Sequence, residues 1–288
     1  MNTSDQSESV NKFVQLLDTF PNGNTIISKY LPPYTDFFFT DQLLNEETLE
    51  VVRNNNYRLG ITSQDFGYYV PDVFVDIDTK TVTFYKNLIT VITSYYNIGN
   101  QVRKAEIETA ILKNVNNPLV KEVILVCENV HTPFIHPKIK EVFFTRQPLY
   151  SDFFELANKQ TGAVMITNSD IELATTSLTR VPDLNEVFTL TRQELDGRTT
   201  FIDNYELYDS HDSYMFFPPL RIDYNEFKFP QNKWGSENVV NYKLFTAGYR
   251  LSNPCRSIIT IHHHQSEIRE PNRERINNNT PFIRVFPS

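Results

Sequence analysis

The stretch Ala163-Val164-Met165-Ile166-Thr167-Asn168-Ser169-Asp170-Ile171 is an apolar run that ends on a polar, acidic tip. It reads as a strand covered on both faces that carries a carboxylate at its end. Three runs upstream read the same way: Leu88 to Ser94, Val120 to Cys127 and Ile139 to Phe144. Between them, Asn100 to Val115 has the periodicity of an amphipathic helix, and Tyr150 to Gln160 is a second helix leading into the strand that ends at Asn168. Short apolar runs alternating with helices are what a mostly parallel sheet requires, because its crossovers cover both faces. The expected fold is α/β, a Rossmann-type mixed, mostly parallel sheet flanked by helices. Ligands of such sheets sit at the carboxyl ends of the strands, so Ser94-Tyr95-Tyr96, Glu128-Asn129 and Asn168-Ser169-Asp170 are expected to converge on one cleft.

Before Lys86 the chain has a different character. Val10 to Leu17 and Asn45 to Arg53 carry short helical periodicities, and Asp72 to Tyr85 is two alternating runs around a polar turn, the pattern of a β-hairpin. Residues 1–86 are assigned to an N-terminal accessory α+β region, 87–270 to the main domain and 271–288 to a C-terminal tail. The polar stretch from Arg269 to Thr280 reads as a solvated end, with an arm that closes over a ligand as the alternative.

With 288 residues and 40% hydrophobic content, the chain can bury a substantial core. Its formal net charge of -8 supplies no domain-wide basic field, so nucleic acid is not an expected partner. Cys127 and Cys255 are too few for a disulfide framework and lack zinc spacing, and they read as buried free thiols of a reducing compartment. Met1 to Ser9 has no signal or transit character, and no apolar stretch reaches the roughly 20 residues of a membrane span. A soluble, cytoplasmic protein without a membrane span is expected. Neither G-x-G-x-x-G nor G-x-x-x-x-G-K-[ST] occurs, which disfavours dinucleotide dehydrogenases and P-loop nucleotidases.

Far downstream lies His262-His263-His264. On a strand, His262 and His264 point to one face and His263 to the other, so two imidazoles can approach one site. The competing reading is a set of hydrogen-bonded histidines at a strand end. Together with Asp170 they offer oxygen and nitrogen ligands to a divalent cation, Mn²⁺ or Mg²⁺, of the kind that a nucleotide diphosphate requires. A formal Asp-x-Asp also occurs at Asp76-Ile77-Asp78, but it lies beside a hairpin turn, where Asp commonly bonds its own backbone.

Several motifs, in order, carry a resemblance. The strand ending Val91-Ile92-Thr93-Ser94-Tyr95-Tyr96, then Arg103 and Glu106 on the next helix, then Asn168-Ser169-Asp170, resemble the nucleotide-sugar half of GT-A-type glycosyltransferases. Leu190-Thr191-Arg192, Asp209 to Phe216, Trp234-Gly235-Ser236-Glu237-Asn238 and Ala247 to Pro254 resemble the acceptor half, and Ile258 to Arg269 closes the pattern. The resemblance implies a GT-A-like fold and an enzyme that moves a sugar from a nucleotide-diphosphate donor, a UDP- or GDP-sugar, to a saccharide or glycoconjugate acceptor with the help of Mn²⁺ or Mg²⁺. It implies a metal held by Asp170 with His262 or His264. It places Ser94, Tyr95, Arg103, Glu128, Asn168, Ser169 and Arg192 around the donor. The family's usual Asp-x-Asp is here Asn168-Ser169-Asp170, and the amide brings no charge, so a modest cation affinity or metal independence is open. A non-catalytic carbohydrate- or nucleotide-binding module of the same fold is the alternative of a different class.

An inverting transfer needs a base for the acceptor hydroxyl, and two carboxylates compete for that role. Glu237 is similar to the acidic residue of the tryptophan-glycine segment in inverting galactosyltransferase-like enzymes, although a carboxylate at a helix start is also favoured by the macrodipole. Asp212 is the other, in a segment that reads equally as a turn. Arg103 and Arg192 suit a diphosphate because a guanidinium grips two oxygens at once, while an i,i+3 pair with Glu106 accounts for Arg103 about as well. Trp234 is either a platform for a sugar ring or a packing anchor. Ser210-His211-Asp212 is not a hydrolase triad, since adjacent residues on an extended chain point in opposite directions.

Overall fold

The computed structural model describes residues 67–70, 73–76, 81–84, 88–178, 180–198, 210–231, 233–266, 276 and 280–288. The chain divides into two compact units, Met1–Lys86 with Ser177–Val181, and Asn87–Thr176 with Pro182–Ser288. In the first, β1 (Gly67–Val70), β2 (Val73–Asp76) and β3 (Thr81–Phe84) pair antiparallel in chain order, with Asp76 opposite Thr81. β2 and β3 are the arms of the expected hairpin. The helices read at Val10 to Leu17 and Asn45 to Arg53, and Asp78 of the formal Asp-x-Asp, lie outside the described residues.

The second unit contains, in chain order, β4 (Ile89–Tyr96), α1 (Gln101–Asn116), β5 (Val120–Glu128), β6 (Ile139–Phe144), α2 (Tyr150–Ala157), β7 (Ala163–Thr167), β8 (Ile171–Leu173), β9 (Glu186–Leu190), β10 (Gln193–Glu194), β11 (Ser213–Phe216), α3 (Ser236–Thr246), β12 (Arg250–Ser252) and β13 (Thr260–His262). Seven strands form one sheet in the order β12-β9-β11-β7-β4-β5-β6. All neighbours are parallel except β11, which runs antiparallel to β7 and β9. The fold is α/β with a mixed, mostly parallel sheet. β4 lies inside it because its β-branched residues suit a pleated surface covered on both sides, and Ile89, Val91 and Ile92 are fully buried.

From β4 the chain steps outward to β5 and β6, then returns to lay β7 on the opposite side of β4. The strand order therefore reverses between β4 and β7, and the crevice outside their carboxyl ends is where such a sheet takes a ligand. Under one face, Tyr150, Phe153 and Phe154 of α2 join Tyr214, Phe216 and Phe227 in an aromatic core. Phe154 is central, with ring centroids 4.9 Å from Phe227 and 6.0 Å from Phe216. Each such ring stabilises the fold by about 1.5–3 kcal/mol on burial.

α1 begins where the Asn100 side chain accepts the amides of Val102 and Arg103. It buries Ile107, Ala110, Ile111, Asn114 and Val115, one stripe of the helix. Asn114 reaches across to β8, donating to the Ile171 carbonyl at 2.8 Å and accepting the Leu173 amide at 2.7 Å. α2 ends at Ala157 rather than at Gln160. The Asn158 side chain is held by both backbone groups of Leu220 at 2.8 Å, and Gln160 turns its amide back onto the Leu156 carbonyl at 3.0 Å.

A second, three-stranded sheet stands beside the first in the order β10-β13-β8. Its register sets Ile171 and Glu194 opposite His262. The residues after Thr280 are hydrogen-bonded to this unit: the amides of Ile283, Val285 and Ser288 donate to the Asn238 carbonyl, to His211 Nε2 and to the Asn253 carbonyl. Both cysteines are free and buried. No helix among the described residues is long and apolar enough to cross a membrane.

Candidate functional site

β7 stops at Thr167, and a short turn follows, closed by the Ile171 amide on the Asn168 carbonyl at 3.2 Å. The turn delivers Asp170, buried, to the carboxyl end of the sheet. Three side chains converge on its Oδ2. Arg103 Nη2, from the first turn of α1, donates to it in a very short contact; His262 Nε2 lies 3.1 Å away and His264 Nδ1 3.9 Å. Asp170, His262 and His264 each present one ligand atom, all within 4.8 Å of one another. β13 ends at His262, and in the two residues beyond it the side chains still alternate, with His262 and His264 ring centroids 5.2 Å apart while His263 turns its Nε2 to Glu172 at 2.7 Å.

The donor set suits a divalent cation: one carboxylate oxygen and two imidazole nitrogens in a largely covered position. His264 Nε2 is buried without a hydrogen-bond partner among the described residues. Burial, then the positive charges of Arg103 and His262, lower the His264 pKa to about 4, so its ring is neutral as a ligand must be. His262 differs. Burial opposes its charge, but its hydrogen bonds to Asp170 and Glu194 prevail and raise its pKa to about 9. Glu194 reaches His262 Nδ1 at 3.0 Å and, against the cost of its own burial, is lowered to about 2 by His262 and Arg192.

Arg192 continues the chain of charges. Its Nε donates to Glu194 Oε1 at 3.1 Å and its Nη1 to both Asp212 oxygens at 3.0 Å. Asp212 also accepts from Asn168 Nδ2 at 2.9 Å and, in a short contact, from the Ser210 hydroxyl. Glu106, Arg103, Asp170, His262, Glu194, Arg192 and Asp212 thus alternate in sign along one line. Asn168 has a local reason: a carboxylate there would face Asp212 across a 2.9 Å hydrogen bond that an amide can donate.

Glu237 stands next to this line. Gly235, at φ +79°, turns the chain into α3, a conformation costly for any residue with a Cβ. Glu237 follows in the first turn, and Tyr214 donates its hydroxyl to the Glu237 carbonyl at 2.9 Å. Burial, and then the charge of Asp212, push the Glu237 carboxyl up to about 8. Asp212 is surrounded by donors, whereas the Glu237 carboxyl holds its proton at neutrality and exchanges it near pH 8.

Of the remaining sequence candidates, Ser169 is buried beside Asp170. Ser94 and Glu128 lie at the ends of β4 and β5, and no hydrogen bond among the described residues joins their side chains to the Asp170 group. Tyr95 gives its hydroxyl to Glu108 at 2.9 Å, a bond within the fold. Trp234 is 48% exposed, so it anchors no core. Glu194, which holds His262 from behind, was not singled out in the sequence. Its partner is 68 residues away, and only the pairing of β10 with β13 joins them.

No family model matches the sequence, and no curated protein matches it. Solved structures match part of the fold. The mannosyltransferase PcManGT from Pyrobaculum calidifontis in complex with GDP-Man and Mn²⁺ is 16% identical, with a TM-score of 0.43 over 64% of this chain and 59% of its own. S. aureus TarS 1-349 is 13% identical, with a TM-score of 0.41 over 61% and 60%. The chain thus spans about three fifths of the length of the structures it matches.

Proposed function

We propose that residues 87–270 form a GT-A-like glycosyltransferase domain that moves a sugar from a UDP- or GDP-linked donor to a hydroxyl of a saccharide or glycoconjugate. The observation that carries this reading is the approach of Asp170, His262 and His264 to within 4.8 Å, beside the guanidinium of Arg103, at the end of β7 where the strand order reverses. Those three residues would hold Mn²⁺ or Mg²⁺, which when bound offsets the charge of a leaving nucleoside diphosphate. His262 gives up its proton to serve as a ligand. Arg103 and Arg192 bring bidentate donors for phosphate oxygens. Ser94, Tyr95, Glu128, Asn168 and Ser169 belong to the donor side, Asn168 by fixing Asp212 and Tyr95 through its place on β4.

Glu237 is the base in this reading. The acceptor hydroxyl passes its proton to the Glu237 carboxylate as its oxygen bonds the anomeric carbon. The bond from that carbon to the phosphate oxygen breaks, and its electron pair leaves with the nucleoside diphosphate. Such a displacement inverts the sugar carbon. Asp212 serves as a positioning residue, because its oxygens are already occupied by Arg192, Asn168 and Ser210.

The test is acceptor-dependent release of nucleoside diphosphate from a panel of UDP- and GDP-sugars, in wild type and Glu237→Gln. Release in wild type that falls by about 10²–10⁴-fold in the variant, with donor binding intact, is expected for a lost general base. Donor binding with no release from wild type under any acceptor would favour the non-catalytic binding module instead.

A further inference from the structure

The Arg103 guanidinium lies against the carboxylate of the candidate cation site. Its Nη2 lies on Asp170 Oδ2, the same oxygen that His262 Nε2 meets at 3.1 Å and His264 Nδ1 approaches at 3.9 Å. It is not there by chance of an exposed side chain, since only 13% of its side chain is accessible and its other terminal nitrogen is anchored twice. Nη1 donates to Glu106 Oε2 and to the His263 carbonyl, both at 3.1 Å. Glu106 is itself fixed, because its Oε1 accepts the amides of Gln265 and Ser266 at 2.8 and 2.7 Å. The guanidinium thus spans the first turn of α1, the histidine segment and the acidic turn after β7.

We propose that Arg103 is an internal occupant of the cation's place on Asp170, displaced when a divalent ion binds, and that the freed Nη2 then turns to the diphosphate while Nη1 stays on its anchors. This rests on the metal reading above and adds a coupling to it. Metal binding and donor binding become linked through one side chain: the cation removes the hydrogen-bond partner that Nη2 has among the described residues, and an anionic donor supplies a new one. The modest cation affinity expected from Asn168 gains a second cause, since the ion must outcompete a resident charge-assisted hydrogen bond as well as lack a second carboxylate.

Arg103→Lys separates this from simple charge repulsion. It keeps the positive charge near Asp170, but one ammonium cannot span Glu106, the His263 carbonyl and Asp170 as the fork does. Calorimetric titration of Mn²⁺ into the protein without donor should show about tenfold tighter binding to Arg103→Lys than to wild type, the size of one charge-assisted hydrogen bond removed from competition. A second readout needs only wild type and Asp170→Ala: on adding diamagnetic Mg²⁺, the Arg103 Nε–Hε NMR signal should move in the first and stay still in the second. Equal or weaker Mn²⁺ binding by Arg103→Lys, or an Arg103 signal indifferent to Mg²⁺, overturns the displacement. If wild type binds Mn²⁺ and Asp170→Ala does not, the metal reading survives that result. If neither wild type nor Arg103→Lys binds Mn²⁺ at millimolar concentration, both fail.

Discussion

Glu237 and Asn168 are the residues whose chemistry is most specific to this chain. The Glu237 carboxyl is raised from 4.5 to about 8 in the folded protein, chiefly by burial and next by Asp212. A raised carboxyl means that the folded state binds a proton that the unfolded state has already released between those values. Glu237 therefore contributes stability that is present below about 4.5 and lost as pH climbs through about 8. In the base role proposed for Glu237 the carboxylate must be ionised, so activity has the opposite dependence. The kcat/KM profile is expected to rise with pH to a limb near 8, and Glu237→Gln to abolish that limb while flattening the fall in Tm between pH 5 and 8. A profile that is flat across this range contradicts the assignment of the base. Asn168→Asp replaces a donor with a second carboxylate 2.9 Å from Asp212. It should cost about 1–3 kcal/mol at neutral pH, read by denaturant unfolding, and less in acid, where one of the two carboxyls is protonated. An unchanged midpoint at pH 7 would show that the turn relaxes away from Asp212.

At the scale of elements, α1 holds the acidic turn in place. Its N-terminal turn supplies Arg103 and Glu106, and deeper in the helix Asn114 makes two hydrogen bonds to β8, the strand that starts immediately after Asp170. Asn114→Ala strands a buried amide and a buried carbonyl, and a loss of about 2–4 kcal/mol is expected, with weakened Mn²⁺ binding because the turn loses its support. Native Mn²⁺ affinity in a destabilised Asn114→Ala protein would show that the turn is held by β7 alone. The helix itself was legible, since its apolar stripe is a local signal, although Asn100 proves to be its cap rather than its first residue. The role of Asn114 was not: a polar residue on a buried stripe looks like an interruption until its partner strand is known. The same holds for α2, which stops early because of Leu220, 62 residues away.

Across the whole molecule, what could be read in advance followed from period and order. Apolar runs alternating with helices gave the α/β sheet, and the expected approach of His262 and His264, with His263 turned away, is seen although β13 ends at His262 and the two later histidines lie beyond it. What could not be read were the pairings that join distant segments: Glu194 behind His262, Arg103 on Asp170, and Asn168 on Asp212, each set by strand register or helix placement. Sequence left Arg103 divided between an i,i+3 partner and a distant one, and the guanidinium takes both. The same fork that made the two readings hard to separate lets it bridge them. The proposed function makes this line of charges a metal-assisted site for a nucleotide-diphosphate sugar. Its most direct measurement is calorimetric binding of a panel of UDP- and GDP-sugars with and without Mn²⁺, in wild type and Asp170→Ala. Mn²⁺-dependent binding of at least one donor by wild type, weakened by at least a hundredfold in Asp170→Ala, is the expected result; equal binding of donors by both proteins, or binding by neither, contradicts it.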